Sequence, residues 1–223
     1  VEESILRSHI LPGLLKVAVH NLNRQVENVF IFEIGKVFSN TDEVEKWSLG
    51  GLMIASPFMS PMDKGAVDYL YTKGIIENLL KGLGINKQKF AESDNFLVQP
   101  GMGAKIGDIG ILGAVHPDIL KGFDINQPAY FFEIDLKLLS RLIAEQRRYV
   151  PLPKYPSTSR DISMFIPANL ENQLIIDLIN KLGGELIENV YPFDKYKDSI
   201  AYRIIYRNRE TTITEEEVND KHT

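Results

Sequence analysis

FDKYKDSIAYRIIYRNRETTITEEEVNDKH, residues 193–222, decides the fold of the second half of this chain. FDKY closes one strand, Lys197 and Asp198 form a tight turn, and SIAYRIIYR (199–207) alternates as a second strand. Thr214, with Glu217 three residues later, is the start of a helix closed by a capping box. Working back, ELIENVYPFDKY (185–196) extends the first strand, and NLENQLIIDLINKLGG (169–184) is helical. In that helix Asn169 is the expected N-cap, Leu170, Leu174, Ile175, Leu178, Ile179 and Leu182 the apolar stripe, and the Gly-Gly pair the stop. SRDISMFIP (159–167) alternates with Ile162, Met164 and Ile166 on one face. The order β-α-β-β-α supplies five of the six elements of a ferredoxin-like fold. A finished helix and a fourth strand would complete it, so the chain reads as truncated at its C-terminus.

Upstream, RYVPLPKYP interrupts a helical pattern with Pro151, Pro153 and Pro156. Proline removes a donor and disfavours helix in the residue before it, so 149–156 is expected to be an extended linker between domains at 1–148 and 157–223. The first domain reads as α+β. LPGLLKVAVHNLNRQ (11–25) is an amphipathic helix with Pro12 in its first turn and Leu11, Leu14, Leu15, Ala18, Val19 and Leu22 inward. NVFIFEIGKVF (28–38) and WSLGGLMIAS (47–56) read as strands, the former with Phe30, Phe32 and Ile34 on one parity. YLYTKGIIENLLKGLG (69–84) is a second helix, with Leu70, Ile75, Ile76, Leu79, Leu80 and Leu83 inward and Gly84 as its cap. AKIGDIGILGAVH (104–116) is a hairpin turned at Gly107–Asp108, and AYFFEIDLKLLSRLIAE (129–145) is a strand running into a helix. Gly101 and Gly103 read as turn glycines with φ > 0.

Composition excludes several functions. With no cysteine among 223 residues, disulfides, thiolate metal sites and cysteine nucleophiles are absent, and a cytoplasmic address is expected. No apolar run reaches the ~18–20 residues of a membrane span, and VEESILRSH lacks the pattern of a signal peptide. Val1 stands where an initiator Met would, marking a fragment or a processed chain. A formal charge of −5 argues against binding nucleic acid through phosphates alone. From Val150 onward nine Lys and Arg face twelve Asp and Glu, yet five of those cations fall between Lys195 and Arg209. That clustering allows a small site reading a few exposed bases.

The first-half motifs ILRSHILPGLLKVAVHNLNRQ, FIFEIGKVF, DYLYTKGIIENLLKGLG, FLVQPGMGAKIGDIGILGAVHPDILKGFDI and YFFEIDLKLL follow one another in a specific order. Together with the C-terminal FDKY/SIAYR pattern, they resemble the phenylalanyl-tRNA synthetase β-subunit family. The resemblance implies an α+β class II synthetase-like antiparallel core without chemistry, followed by a ferredoxin-fold anticodon-binding domain. It also implies a phenylalanine-tRNA ligase β subunit that is non-catalytic itself, with no catalytic residues, no cofactor-binding residues and no metal ligands of its own. The implied partners are the catalytic α subunit, in an (αβ)2 heterotetramer, and tRNA-Phe; no membrane is implied. ATP and Mg would serve the holoenzyme rather than this chain. The helices at 12–25 and 69–83 are expected to help pack against the α subunit.

The lost chemistry can be placed on residues. A class II site needs fixed cations against the charge developing on a transferring phosphoryl group. By the resemblance, Phe38 in GKVF (35–38) stands where the catalytic subunit has its motif-2 arginine, Gly50 stands where it has a glutamate, and no GxGxxR lies near FFEIDLKLL. His116, beside Asp118, has the residue type of a general base, but no Ser, Cys or second His completes a site, so a turn-capping role is expected. His9, His20 and His222 show no metal-ligand spacing.

In the resembled family the FDxY aspartate and tyrosine and the serine opening the next strand contact a guanine at the first anticodon position. Asp194, Tyr196 and Ser199 occupy those places, and Arg203 shares the parity of Ser199. An aromatic ring can stack on an unstacked base while a carboxylate or hydroxyl bonds its edge. Asp194 could accept from guanine N1 and N2, Tyr196 could stack, Ser199 could bond an edge, and Arg203 could reach a phosphate. Without the family pattern, Tyr196 is a half-exposed strand aromatic and Asp194 a turn former. The turn between these strands is much shorter than the family's. A ferredoxin-like amino-acid sensor is the alternative, but such sensors cradle ligand on a Gly-rich strand-to-helix junction, and PANLEN (167–172) has no glycine.

Overall fold

Apolar residues on both parities of AYFFEID leave that segment nowhere to go except the middle of a sheet covered on both faces. In the computed structural model, which describes residues 5–40, 44–54, 67–85, 88–143, 151–167 and 170–222, it lies there. The chain divides into two compact units, residues 1–147 and 148–223. The first runs α1 (Leu11–Leu22), β1 (Val29–Phe38), β2 (Glu45–Ile54), α2 (Tyr69–Gly82), β3 (Phe90–Glu92), β4 (Val98–Ile106), β5 (Gly110–Val115), α3 (Pro117–Gly122), β6 (Ala129–Asp135) and α4 (Leu136–Leu142). The strands form an antiparallel sheet in the order β1-β2-β6-β5-β4-β3.

One face of this sheet packs Leu52, Ile54 and Phe131 under α1 through Leu11, Leu14, Leu15 and Ala18. The other packs Met53, Leu112, Tyr130, Phe132 and Ile134 against Ile76 and Leu80 of α2 and Leu139 of α4. Adjacent glycines on β2 serve one face each. A Cβ on Gly50 would lie 2.7 Å from Ile10 Cγ2, and one on Gly51 would lie 2.3 Å from the Phe132 ring, so each glycine lets a large side chain sit directly on backbone.

Helix starts follow the side chains. Asp68 Oδ1 accepts from Tyr71 N at 2.7 Å to open α2, and Asp135 Oδ1 accepts from Lys137 N and Leu138 N at 2.9 and 3.0 Å to open α4. The hairpin between β4 and β5 turns over Gly107, whose φ is +48°. On β1 the parity of Phe30, Phe32 and Ile34 is the exposed one, since α1 covers the Val29 side. Two expectations need correction. Leu70 is exposed, because α2 offers the sheet Thr72, Ile76 and Leu80 instead. Gly101 has φ +74°, but Gly103 has no positive φ; it pairs with Gly113 in the sheet, where Val98 fills the space a side chain would take.

The second unit runs β7 (Thr158–Phe165), α5 (Asn172–Gly183), β8 (Ile187–Tyr196), β9 (Ser199–Tyr206) and α6 (Glu215–His222). Its antiparallel sheet has the order β7-β9-β8. Ile175 of α5 and Val218 of α6 bury against Val190, Tyr202, Ile204 and Tyr206 on one face. The capping box forms: Glu217 Oε2 accepts from Thr214 N at 2.8 Å, and Thr214 Oγ1 accepts from Glu217 N at 3.3 Å. The helix begins at Asn172 with Glu171 at its N-cap, two residues later than the sequence suggests, and Asn169 lies outside the described residues. Ile175, Ile176 and Ile179 face the narrow sheet, leaving the neighbouring row, Leu174, Leu178 and Leu182, exposed. Among the described residues no helix is long and apolar enough to cross a membrane.

Candidate nucleic-acid interface

The face of the second sheet away from its helices is open, and the strand register determines what it displays. Ser199, Ala201, Arg203 and Ile205 alternate with the buried Tyr202, Ile204 and Tyr206 and so point outward from the central strand β9. Ser199 pairs with Phe165 on β7 and Tyr196 on β8; Ala201 with Ser163 and Asp194; Arg203 with Asp161 and Tyr191. Three cross-strand rows therefore present Phe165–Ser199–Tyr196, Ser163–Ala201–Asp194 and Asp161–Arg203–Tyr191 on one surface.

A bulge makes this possible. Between Pro192 and Asp194 the register slips, leaving Phe193 unpaired. Strict alternation from Tyr191 would turn Asp194 and Tyr196 toward the helices. The extra residue instead brings Tyr191, Asp194 and Tyr196 to the same face. Pro192 is tolerated because β8 is an edge strand and is bulged at that point. The β8–β9 turn takes two residues, with Lys197 at φ +52° and its Nζ 5.3 Å from the centre of the Tyr196 ring.

The four residues singled out in the sequence thus share one face, in different states. The Tyr196 side chain is 71% exposed. Ser199 Oγ lies 2.8 Å from Ser163 Oγ. Asp194 Oδ1 accepts from Lys195 N at 2.8 Å. Arg203 is held on two sides. Its Nε and Nη2 donate to the two carboxylate oxygens of Asp161 at 2.8 and 2.7 Å, and its guanidinium lies 4.6 Å from the centre of the Phe193 ring. Bonding to Arg203 holds the Asp161 carboxyl below its usual range and raises Arg203 further. In the same cation cluster Arg207 is also engaged: Nε donates to Glu188 at 2.9 Å and Nη1 to the Tyr155 carbonyl.

Asp161, Ser163, Phe165 and Phe193 are the residues that sequence reasoning missed. The signal for the first three was present, since the alternation that turns Ile162 and Met164 inward turns them outward. Phe193 depends on the bulge, which no period-two pattern reveals.

On the first unit, the two positions expected to have lost catalytic charge are occupied differently. Phe38 ends β1 opposite Glu45 and is half-buried. Gly50 is sealed by Ile10, which is fully buried. Beside it Glu133 is 8% exposed and is used structurally: it accepts from Ile10 N at 3.2 Å and from the Ser48 hydroxyl at 3.1 Å, with His9 Nδ1 at 3.5 Å. His116 caps α3, its Nδ1 accepting from Asp118 N at 3.2 Å. Among the described residues no cluster of three or more His, Asp or Glu could hold a metal ion.

Comparison with known proteins agrees with this division. The family described as "Phenylalanyl tRNA synthetase beta chain CLM domain" matches residues 1–136, and "Ferredoxin-fold anticodon binding domain" matches residues 153–223. The chain belongs to the phenylalanyl-tRNA synthetase β-chain family. Phenylalanine–tRNA ligase β subunits from Bacillus licheniformis and Carboxydothermus hydrogenoformans are 36% and 34% identical to it, each over 99% of this chain and 30% of the relative. The Bacillus subtilis β subunit is 34% identical over the same shares. The chain thus spans about 30% of the length of these relatives. Among solved structures, a pyrrolysyl-tRNA synthetase from Desulfitobacterium hafniense overlays 61% of this chain and 49% of its own at a TM-score of 0.48 and 16% identity.

Proposed function

We propose that this chain is the part of a phenylalanine-tRNA ligase β subunit that docks the catalytic α subunit through its first unit and reads the tRNA-Phe anticodon with its second. One observation carries the second half of this reading. Asp194, Tyr196 and Ser199 converge at one end of an open sheet face, in a unit matching an anticodon-binding family. Tyr196 offers its ring to an unstacked base, while the Asp194 carboxylate and the Ser199 hydroxyl lie within two rows of it to bond the base edge. Arg203 has five N–H donors, more than its bonds to Asp161 and Tyr191 use, and a phosphate would take one of the rest. The amino-acid-sensing alternative has no feature of this face in its favour.

The first unit acts as a structural partner in this reading. Phe38 and Gly50 offer no charge to a nucleotide phosphate, so ATP and Mg are handled by the α subunit. The stripe of α1 is spent on its own sheet. Among the described residues an apolar surface for a partner is formed instead by the exposed parity of β1, Phe30, Phe32 and Ile34, with Trp47 beside it and Leu70 and Tyr71 on α2. Phe30 and Tyr71 are in edge contact at 6.3 Å, which makes the patch continuous across the two elements. An (αβ)2 assembly and a cytoplasmic address complete the proposal.

The test is aminoacylation by the reconstituted ligase. Losing a base-stacking ring costs about 1–3 kcal/mol, so Tyr196→Ala should lower kcat/KM for tRNA-Phe by roughly 5- to 150-fold with little change in KM for ATP. Unchanged charging kinetics would take Tyr196 out of the interface.

A further inference from the structure

We infer that Phe165 is a second base-stacking platform, taking a nucleotide adjacent to the one at Tyr196 in the same single strand. The inference rests on the reading of the open face as an anticodon interface and deepens it. Phe165 is the most exposed aromatic residue of the second unit, at 84%, and is the last residue of β7, still paired in the sheet. Its register partner is Ser199, whose other neighbour is Tyr196. The two rings therefore leave the same face from strands on either side of β9. Neighbouring strands lie about 4.8 Å apart, so the two platforms stand roughly 10 Å from each other. Between them lies Ser199, whose Oγ is 2.8 Å from Ser163 Oγ in the next row of β7. Two rings in one row of a sheet, on the strands either side of a central one and with a hydroxyl between, suit the way sheet-based modules splay and stack two or three consecutive bases.

The surroundings favour RNA over a protein partner. A protein-docking surface would be a contiguous apolar patch, whereas the neighbours of Phe165 on this face are Ser163, Ser199 and, further along, Asp161 and Arg203. A ring flanked by hydroxyls suits the flat face of a base, whose edges need polar neighbours. Stacking is tolerant of base identity because every base has a π-face. Phe165 therefore holds the strand in place, and the Asp194–Tyr196–Ser199 end reads it.

The test uses the assembled ligase with its full β subunit and tRNA-Phe transcripts in which each anticodon nucleotide in turn is made abasic. Dissociation constants are measured for wild type, Phe165→Ala, Phe165→Leu and Tyr196→Ala. Phe165→Ala should weaken the intact transcript roughly 5- to 150-fold. That loss should vanish on a single abasic transcript, next in sequence to the one that cancels Tyr196→Ala. Phe165→Leu, which keeps apolar bulk without a ring, should recover only part of the affinity, and swapping the base over Phe165 for any other should change little. If Tyr196→Ala weakens binding and Phe165→Ala does not, the second platform is wrong and the anticodon reading stands. If neither variant matters, both fall together. An equal loss from Phe165→Ala on every transcript would mean a backbone or folding effect, and intact RNA affinity with a dissociating ligase would mean a protein contact; either overturns the inference.

Discussion

Replacing Gly50 by alanine tests whether the position expected to have lost a catalytic glutamate is closed by packing. Gly50 lies in the interior of β2, without a positive φ. In such a position alanine ordinarily gains about 0.5–1 kcal/mol over glycine, because the unfolded chain has less freedom to lose. Here the added Cβ would lie 2.7 and 2.8 Å from Ile10 Cγ2 and Cβ, and Ile10 is fully buried and tethered through its N–H to Glu133. Overpacking of that kind costs about 1–3 kcal/mol, so the sign of the effect is itself diagnostic. Trp47 is the only tryptophan and lies on the same strand, so its fluorescence follows this unit during urea unfolding. With a denaturant slope near 2 kcal/mol per molar, a loss of about 2 kcal/mol lowers the midpoint by roughly 1 M. Ile10→Ala alone should cost about 2–5 kcal/mol. In that background Gly50→Ala should become nearly neutral, a coupling of about 1–2 kcal/mol. A stabilising Gly50→Ala, or one equally costly with and without the Ile10 side chain, would refute the reasoning.

Two further perturbations address the partner and the anchor. Phe32 is 74% exposed, so Phe32→Glu should leave the melting temperature of the chain nearly unchanged while preventing a stoichiometric complex with the α subunit, read as mass by light scattering. A full-mass complex would move the docking surface elsewhere. For Asp161 the native carboxyl is held below its unfolded value by Arg203, so its contribution is fully present above about pH 4 and is lost as pH falls through the depressed native value. Asp161→Asn should therefore lower the urea midpoint at neutral pH, with the gap to wild type closing below about pH 4 and narrowing in 1 M salt. A gap constant down to pH 2 would mean that the pair contributes nothing through charge.

Most of the elements were legible because local chemistry and long-range packing agreed on them. Pro12, the Thr214–Glu217 box and the turn at Gly107 mark boundaries by mechanisms that act within a few residues, and the structure uses each in that way. Orientation was less legible. Both parities of VFIFEI are apolar, so nothing in the strand itself says which one is covered; α1 decides by packing on the Val29 side. The helix α5 shows the same ambiguity, with an isoleucine row and a leucine row side by side and a three-stranded sheet wide enough to cover only one. Periodicity finds the amphipathic face but does not fix its angle when the apolar arc is broader than the surface receiving it.

That the candidate residues share a face was legible in the sequence, but the construction of that face was not. FDKY and SIAYR name Asp194, Tyr196, Ser199 and Arg203, and alternation alone places the first two on a common parity. It does not show that a bulge at Phe193 brings Tyr191 onto that face too, nor that the displaced ring then lies against Arg203. Those facts change the meaning of Arg203. As a strand cation it would be a mobile phosphate contact. Clamped by both oxygens of Asp161 and lying on the ring released by the bulge, it is also a tie across all three strands at the row next to Asp194 and Ala201. Loosening that tie should disturb Asp194 and Tyr196 through the register of β8, even though Asp161 itself faces β9 from the far strand. The candidate surface therefore depends on residues from all three strands, and only the two-stranded part of it could be seen by scanning along the sequence.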